Sequence, residues 1–262
     1  MMLGPQPQGE PPPAAPRGFW GMLTSEEQST LRANAPTTEV SAGLLTRQGV
    51  PLSHVMIIRS GWAKATTVTY NGQEVMLRLY GPGDVIGVEQ VLTGEAPAET
   101  VTVKDDVVYA SALLVRRFTD FMAHAPNASR ALHRVLQQRV QEADRFRSLS
   151  ASATGLERVS GLLVELCRDD YQPQVLKTGE LVIPPVRLSQ QDLASWIGDS
   201  RKTVVRALTD LRDLGIIHTF TQAAYADDTR GRTTQLCRHI LVSDLDRLRA
   251  CATPTGMRSR AG

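Results

Sequence analysis

The spacing of apolar residues changes character along the chain. From about Val40 to Leu114 they come in short runs, His54–Arg59, Trp62–Tyr70, Gln73–Tyr80, Thr100–Val103 and Val107–Leu113. Gly61, Asn71-Gly72, Pro82-Gly83-Asp84 and Pro97 separate these runs. Asn71-Gly72 tolerates the positive φ that a two-residue hairpin turn demands, so the runs flanking it are expected to pair. Strands this short and close together predict a compact all-β barrel or jelly roll. Ahead of them, Phe19–Leu31 reads as a short helix. Thr24 or Ser25 is its N-cap, and Glu26 and Glu27 in the first turn complement the helix dipole.

After Arg116 the period lengthens to that of a helix. Phe118–Met122 predicts a short helix ended by Pro126. Residues 128–149 predict one long helix, with Leu132, Val135, Leu136, Val140, Ala143 and Phe146 recurring at threes and fours. Its other faces carry Arg134, Arg139, Glu142, Asp144 and Arg145. An apolar stripe of this length needs a covering surface, either the barrel or the same helix of a second copy. Ser148–Thr154 is small and polar and suits a hinge. A helix at Gly155–Arg168 and a strand at Leu181–Ile183 follow.

Residues 190–209, QQDLASWIGDSRKTVVRALT, have the pattern of a helix-turn-helix. Leu193, Trp196 and Ile197 give a first helix its buried face, and Ala194 is the small residue where two helices cross. Gly198 suits the sharp turn. Ser200 or Asp199 can cap the second helix, whose inner side is Val204, Ala207 and Leu208. Arg201, Lys202, Val205 and Arg206 are left towards the exposed side, at the end of a recognition helix that enters a major groove. A helical hairpin buried in a core would explain the apolar positions equally well, but not the cluster of cations. Beyond Gly215, strands beginning at Ile216-Ile217 and spanning Arg238–Val242 predict a wing. Arg230 and Arg232 near its tip suit either phosphates or a solvated turn. Asp244–Ala250 reads as a final helix.

Charge supports this division only modestly. Residues 1–184 carry 17 Lys+Arg against 19 Asp+Glu, whereas residues 185–262 carry 12 against 8. A basic C-terminal part suits a phosphate backbone. Six prolines among residues 1–18 leave nothing to build a core, so a disordered tail is expected there. No apolar run reaches the roughly 18 residues needed to span a bilayer, and no secretory signal pattern opens the chain, so a cytoplasmic location is expected. The three cysteines, Cys167, Cys237 and Cys251, lack metal-ligand spacing and are too few for a cluster held by four. His54, His124, His133, His218 and His239 are scattered, and no nucleophile–base set or glycine-rich phosphate loop is present. No catalytic and no metal site is predicted, and the chain is not expected to be an enzyme.

The order of barrel, long helix and helix-turn-helix resembles the CRP/FNR (cyclic-AMP receptor protein-like) family over roughly residues 19–250. Its most specific pieces are Gly81-Pro82-Gly83-Asp84-Val85-Ile86-Gly87, Leu188-Ser189-Gln190-Gln191-Asp192-Leu193-Ala194 and Ser200-Arg201-Lys202-Thr203-Val204. The resemblance implies an α+β fold in five parts: a tail over 1–18, a cyclic-nucleotide-binding-like β-roll over 19–127, a dimerisation helix and hinge over 128–150, a winged helix-turn-helix over 151–250, and a flexible tail over 251–262. It further implies a homodimer on a two-fold symmetric stretch of double-stranded DNA, a contact with RNA polymerase, and an effector in the β-roll that reorients the DNA-binding heads.

Carried over by position, Arg201 and Arg206 match arginines that read guanine O6 and N7. Ser189, Gln191, Ser200 and Thr203 match residues that hold phosphates, and Gln190 lies among them. Lys202 stands where a glutamate is common; an ammonium only donates, so the family's usual operator does not transfer. The expected effector pocket comprises Gly87, Val88, Glu89, Glu99, Thr100, Ala143 and Asp144. In cyclic-nucleotide-binding members a glutamate directly follows the glycine matched by Gly87, and an Arg-Ser pair grips the phosphate. Here Val88 follows Gly87, and Ala98-Glu99-Thr100 occupies the Arg-Ser position. Losing one charge-assisted contact costs about 1.5–3 kcal/mol before the repulsion from Glu99 is counted. Cyclic AMP is therefore disfavoured and no cofactor is predicted, although Glu89 or Thr100 in an unusual register would allow a conventional cyclic-AMP-dependent regulator.

Overall fold

The computed structural model describes residues 18–253 apart from 42, 105–106, 153, 172, 184–185, 187 and 222–237. Contacts group the chain into two units: Met1–Ala65 with Leu79–Leu136, and Thr66–Arg78 with Gln137–Gly262.

Helices α1 (Gly18–Gly21) and α2 (Ser25–Asn34) stand where one helix was expected. The chain breaks at Thr24, whose side chain accepts from Glu27 N while the Glu27 carboxylate accepts from Thr24 N at 2.8 Å. Strands β1 (Thr37–Ser41), β2 (Leu44–Thr46), β3 (His54–Ser60), β4 (Ala63–Val68), β5 (Glu74–Tyr80) and β6 (Val85–Ile86) follow. Then come helix α3 (Val88–Thr93), strands β7 (Thr100–Val103) and β8 (Val107–Leu114), and helix α4 (Val115–His124). One antiparallel sheet has the order β1-β8-β3-β6, with Val55 opposite Leu113 and Ile57 opposite Ser111; the other has the order β2-β7-β4-β5. The five expected runs all become strands. β1 was missed because it is short and almost wholly exposed, and β2 because three residues are too few to show an alternation.

Asn71-Gly72 lies in the hairpin turn between β4 and β5, but the loop is longer than two residues: Thr69 N donates to Gln73 O and Gly72 N to Thr69 O, both at 2.9 Å. The Gly81–Asp84 motif is also a turn: Gly81 N donates to Asp84 Oδ2 at 2.8 Å and Gly83 N to Ile58 O at 2.8 Å. A core of Phe19, Trp20, Leu31, Val55, Ile57, Val88, Phe118, Leu132 and Val135 lies beneath the N-terminal helices.

Pro126 not only follows α4 but opens the long helix α5 (Pro126–Ser152), where its missing N–H has no intrahelical role. Its first turn is held by Glu27, which accepts from Ala128 N at 2.9 Å and Asn127 Nδ2 at 2.9 Å. Burial pushes the Glu27 carboxyl up, but the hydrogen bonds from Asn127, Thr24 and Ala128 outweigh it and hold it below its ordinary range.

The second unit contains α6 (Gly155–Leu166), β9 (Gln174–Val175), β10 (Leu181–Ile183), α7 (Gln190–Ile197), α8 (Arg201–Asp213), β11 (Ile217–Thr221), β12 (Arg238–Val242) and α9 (Leu245–Ala252). Its sheet has the order β11-β12-β10-β9. Asp244, expected as the first residue of the last helix, caps it by accepting from Arg247 N at 2.9 Å. The stripe of α5 divides. Leu132 and Val135 are in the core of the first unit, and Phe146 stacks on Trp196, ring centroids 5.9 Å apart. Val140 is 60% exposed and Ala143 is also exposed. Among the described residues no helix is long and apolar enough to cross a membrane.

Candidate nucleic-acid interface

The interface is built from α7, a three-residue turn and α8. Ser189 caps α7 reciprocally with Asp192: its Oγ donates to Asp192 Oδ2 at 2.6 Å, its N donates to the same oxygen at 2.8 Å, and Asp192 N donates back to Ser189 Oγ at 3.1 Å. Leu193, Ala194, Trp196 and Ile197 are buried, as the periodicity required. Gly198 ends α7 with φ +64°, a left-handed conformation that costs a residue with a Cβ about 1 kcal/mol. Of the two candidate caps, Ser200 is the N-cap of α8, its Oγ accepting from Thr203 N at 3.1 Å.

Asp199 organises the turn instead. It accepts from Ser200 N at 2.6 Å and Thr203 Oγ1 at 2.7 Å, and it pairs with Arg158 of α6. Burial pushes the Asp199 carboxyl up, but these bonds outweigh it and hold it below the usual carboxylate range. Behind the turn α6 approaches so closely that a Cβ on Gly155 would lie 2.1 Å from Thr203 Cγ2. The start of α8 is therefore gripped from within, while its outer face is open.

Val204, Ala207, Leu208 and Leu211 point inward. Arg201, Lys202, Val205 and Arg206 are exposed, as are Ser189, Gln191 and Ser200. Arg201 Nε donates to Gln190 Oε1 at 3.3 Å, linking the two helices across their outer surface. Thr203 is half-buried and spends its hydroxyl on Asp199 and Ser200. β11 and β12 pair antiparallel from Ile217↔Val242 to Thr221↔Arg238, as a wing requires. Arg230, Arg232 and Cys237 lie outside the described residues. Cys167 is half-buried, and burial pushes its thiol up to about 12 against the opposing pull of Arg249.

The expected effector residues are placed differently. Gly87, with φ +88°, opens α3, and Val88 is fully buried in the core rather than turned to a ligand. Glu99 accepts from Tyr80 Oη at 2.5 Å, and Thr100 Oγ1 accepts from Gln48 N at 3.1 Å. Glu89 is half-buried on α3. Ala143 and Asp144 belong to the second unit, where Asp144 pairs with Arg147 at 2.7 Å.

Two family models match this chain. The cyclic nucleotide-binding domain covers residues 42–124, and the Crp-like helix-turn-helix domain covers residues 157–225. Together they span more than half of its 262 residues. The chain belongs to the CRP/FNR family of transcription regulators.

Among relatives of this CRP/FNR regulator, a probable transcriptional activator of Rhizobium leguminosarum is 25% identical over 87% of the chain and 86% of its own length. The cyclic AMP receptor protein of Thermus thermophilus is 28% identical over 62% of the chain and 69% of its own length. Of solved structures, FixK2 from Bradyrhizobium japonicum superposes with TM-score 0.66 at 20% identity, covering 84% of this chain and 98% of that one. A CooA mutant from Carboxydothermus hydrogenoformans gives TM-score 0.67 at 18% identity, covering 90% and 96%. At these identities the superpositions establish the shared fold.

Sequence reasoning placed Arg201, Lys202, Val205 and Arg206 on the exposed side of α8 but missed the residues that hold it. Arg158 and Gly155 carry no local mark, because each acts on a residue more than 40 positions away. The Arg201–Gln190 bond follows from the crossing of α7 and α8 and not from either helix alone.

Proposed function

We propose that this CRP/FNR regulator binds a two-fold symmetric operator as a homodimer joined along α5, with Arg201 and Arg206 reading guanines. The observation that carries this reading is the outer face of α8. Three cations and Val205 are exposed on it, while every apolar position of the opposite face is buried. Serine hydroxyls and helix N-termini at Ser189 and Ser200 suit phosphates on either side of the groove. The exposed Val140 and Ala143, one helical turn apart, supply an apolar strip for a second α5. RNA polymerase is the natural further partner, in line with the Rhizobium relative named as an activator.

The β-roll answers to something other than a cyclic nucleotide. Glu99 stands where the phosphate-gripping arginine is expected and is engaged by Tyr80, and Val88 is committed to the core. The test has two arms. Selection of bound duplexes from random sequence is expected to return a symmetric motif with half-site centres about 34 Å apart. Titration calorimetry with cyclic AMP and cyclic GMP is expected to give no saturable heat at micromolar ligand. A single unpaired half-site would overturn the dimer, and micromolar cyclic-AMP binding would establish the conventional regulator instead.

A further inference from the structure

We propose that Val205 is a specificity-determining residue that reads the C5 methyl group of a thymine one or two base pairs from the guanine held by Arg201. The inference rests on α8 being the recognition helix and goes beyond it by assigning a base to an uncharged side chain.

Val205 is 40% exposed and is the one large hydrophobic residue exposed within α8. Its neighbours on the outer surface are Arg201, Lys202 and Arg206, all exposed. A β-branched residue loses χ1 freedom in a helix, and here two-fifths of the side chain stays uncovered. Its placement is therefore informative in a way that an exposed lysine would not be. Four residues after Arg201, it shares that residue's ridge of the helix. Gln190 and Val205 both line one small crevice, with Leu193 and Leu208, and Gln190 Oε1 accepts from Arg201 Nε at 3.3 Å. The arginine is thus steadied by an amide that shares its crevice with the branched methyl groups of Val205.

The chemistry of the groove selects the partner. Valine has neither donor nor acceptor, so the polar edges of guanine, adenine and cytosine offer it nothing. Thymine alone presents an apolar group in the major groove. Four residues advance a helix by about 6 Å, against about 3.4 Å per base pair, which sets the distance from the guanine read by Arg201.

The test uses the full chain and the duplex it selects from random sequence. Each thymine of that duplex is replaced in turn by deoxyuridine, which lacks only the methyl group. Kd is expected to rise about fourfold at a single position of the half-site, the effect of uncovering one methyl group. That position should lie within two base pairs of the guanine whose preference is lost in Arg201→Ala. In Val205→Ala, which favours the helix, the deoxyuridine effect should vanish. In Val205→Thr, which keeps one methyl group on the same Cβ, part of it should remain. The assignment is overturned if no thymine is sensitive to its methyl group, or if the sensitivity survives Val205→Ala. Selection that yields no common motif would instead overturn the recognition-helix reading itself, a result distinct from either of these.

Discussion

The outer face of α8 and the residues expected to line the effector pocket differ in how their side chains are spent. On α8 the structural work is done by the opposite face and by Asp199, Gly198 and Gly155, so Arg201, Lys202, Val205 and Arg206 are exposed. In the β-roll the same side chains are asked to do both jobs. Val88 packs the core, Glu99 takes the Tyr80 hydroxyl, and Thr100 holds the backbone at Gln48. A helix separates its faces by period, whereas a pocket assembled from turns and strand ends has no spare face.

The contrast is broken most directly by Arg201→Ala combined with Arg206→Ala. Loss of two bidentate guanine contacts, each worth about 1–3 kcal/mol, should weaken binding to the selected operator by roughly thirtyfold to more than ten-thousandfold, with the melting temperature unchanged. Gel-shift titration and thermal melts read both quantities. A large fall in melting temperature would mean that the outer face carries stability after all.

Asp199→Asn attacks the inner support. It removes one charge of a largely buried pair and weakens three hydrogen bonds, so a loss of about 1–3 kcal/mol in urea unfolding is expected. Because the folded carboxyl titrates below its unperturbed 3.8, its stabilisation is complete above that pH and fades as pH falls through the folded value. The difference between wild type and Asp199→Asn should therefore be largest near neutrality and shrink below pH 3.8.

Gly155→Ala tests the close approach, with overpacking expected to cost about 1–3 kcal/mol, partly offset by the better helix former. Adding Thr203→Ser removes the clashing methyl group and keeps the hydroxyl, so stability should return. An unchanged melt in the single variant would refute the tight contact. No effect on DNA binding is expected in the β-roll, where Tyr80→Phe deletes one hydrogen bond to the Glu99 carboxylate for about 1.5–3 kcal/mol of stability and leaves operator affinity unaltered.

How far these regions were legible in sequence follows the same divide. Ser189, Gly198 and Ser200 announce helix ends through local chemistry, and the buried faces of α7 and α8 follow from spacing. The five apolar runs became strands, but β1, nearly all exposed, and β2, three residues long, left no alternation to read. In the effector region spacing identifies no side chain's partner, so Val88 read as a pocket residue and lies in the core.

On its own, then, the sequence determined the helix-turn-helix, its turn glycine and its outward cations, because each depends on residues within one or two helical turns. Tertiary structure alone decided that Phe146 stacks on Trp196 instead of extending the α5 strip. It also decided that Arg158 holds Asp199, that Gly155 admits Thr203, and that Gln190 steadies Arg201. Periodicity records which face of an element is buried. What that face meets depends on how distant elements pack, and no local pattern carries that information.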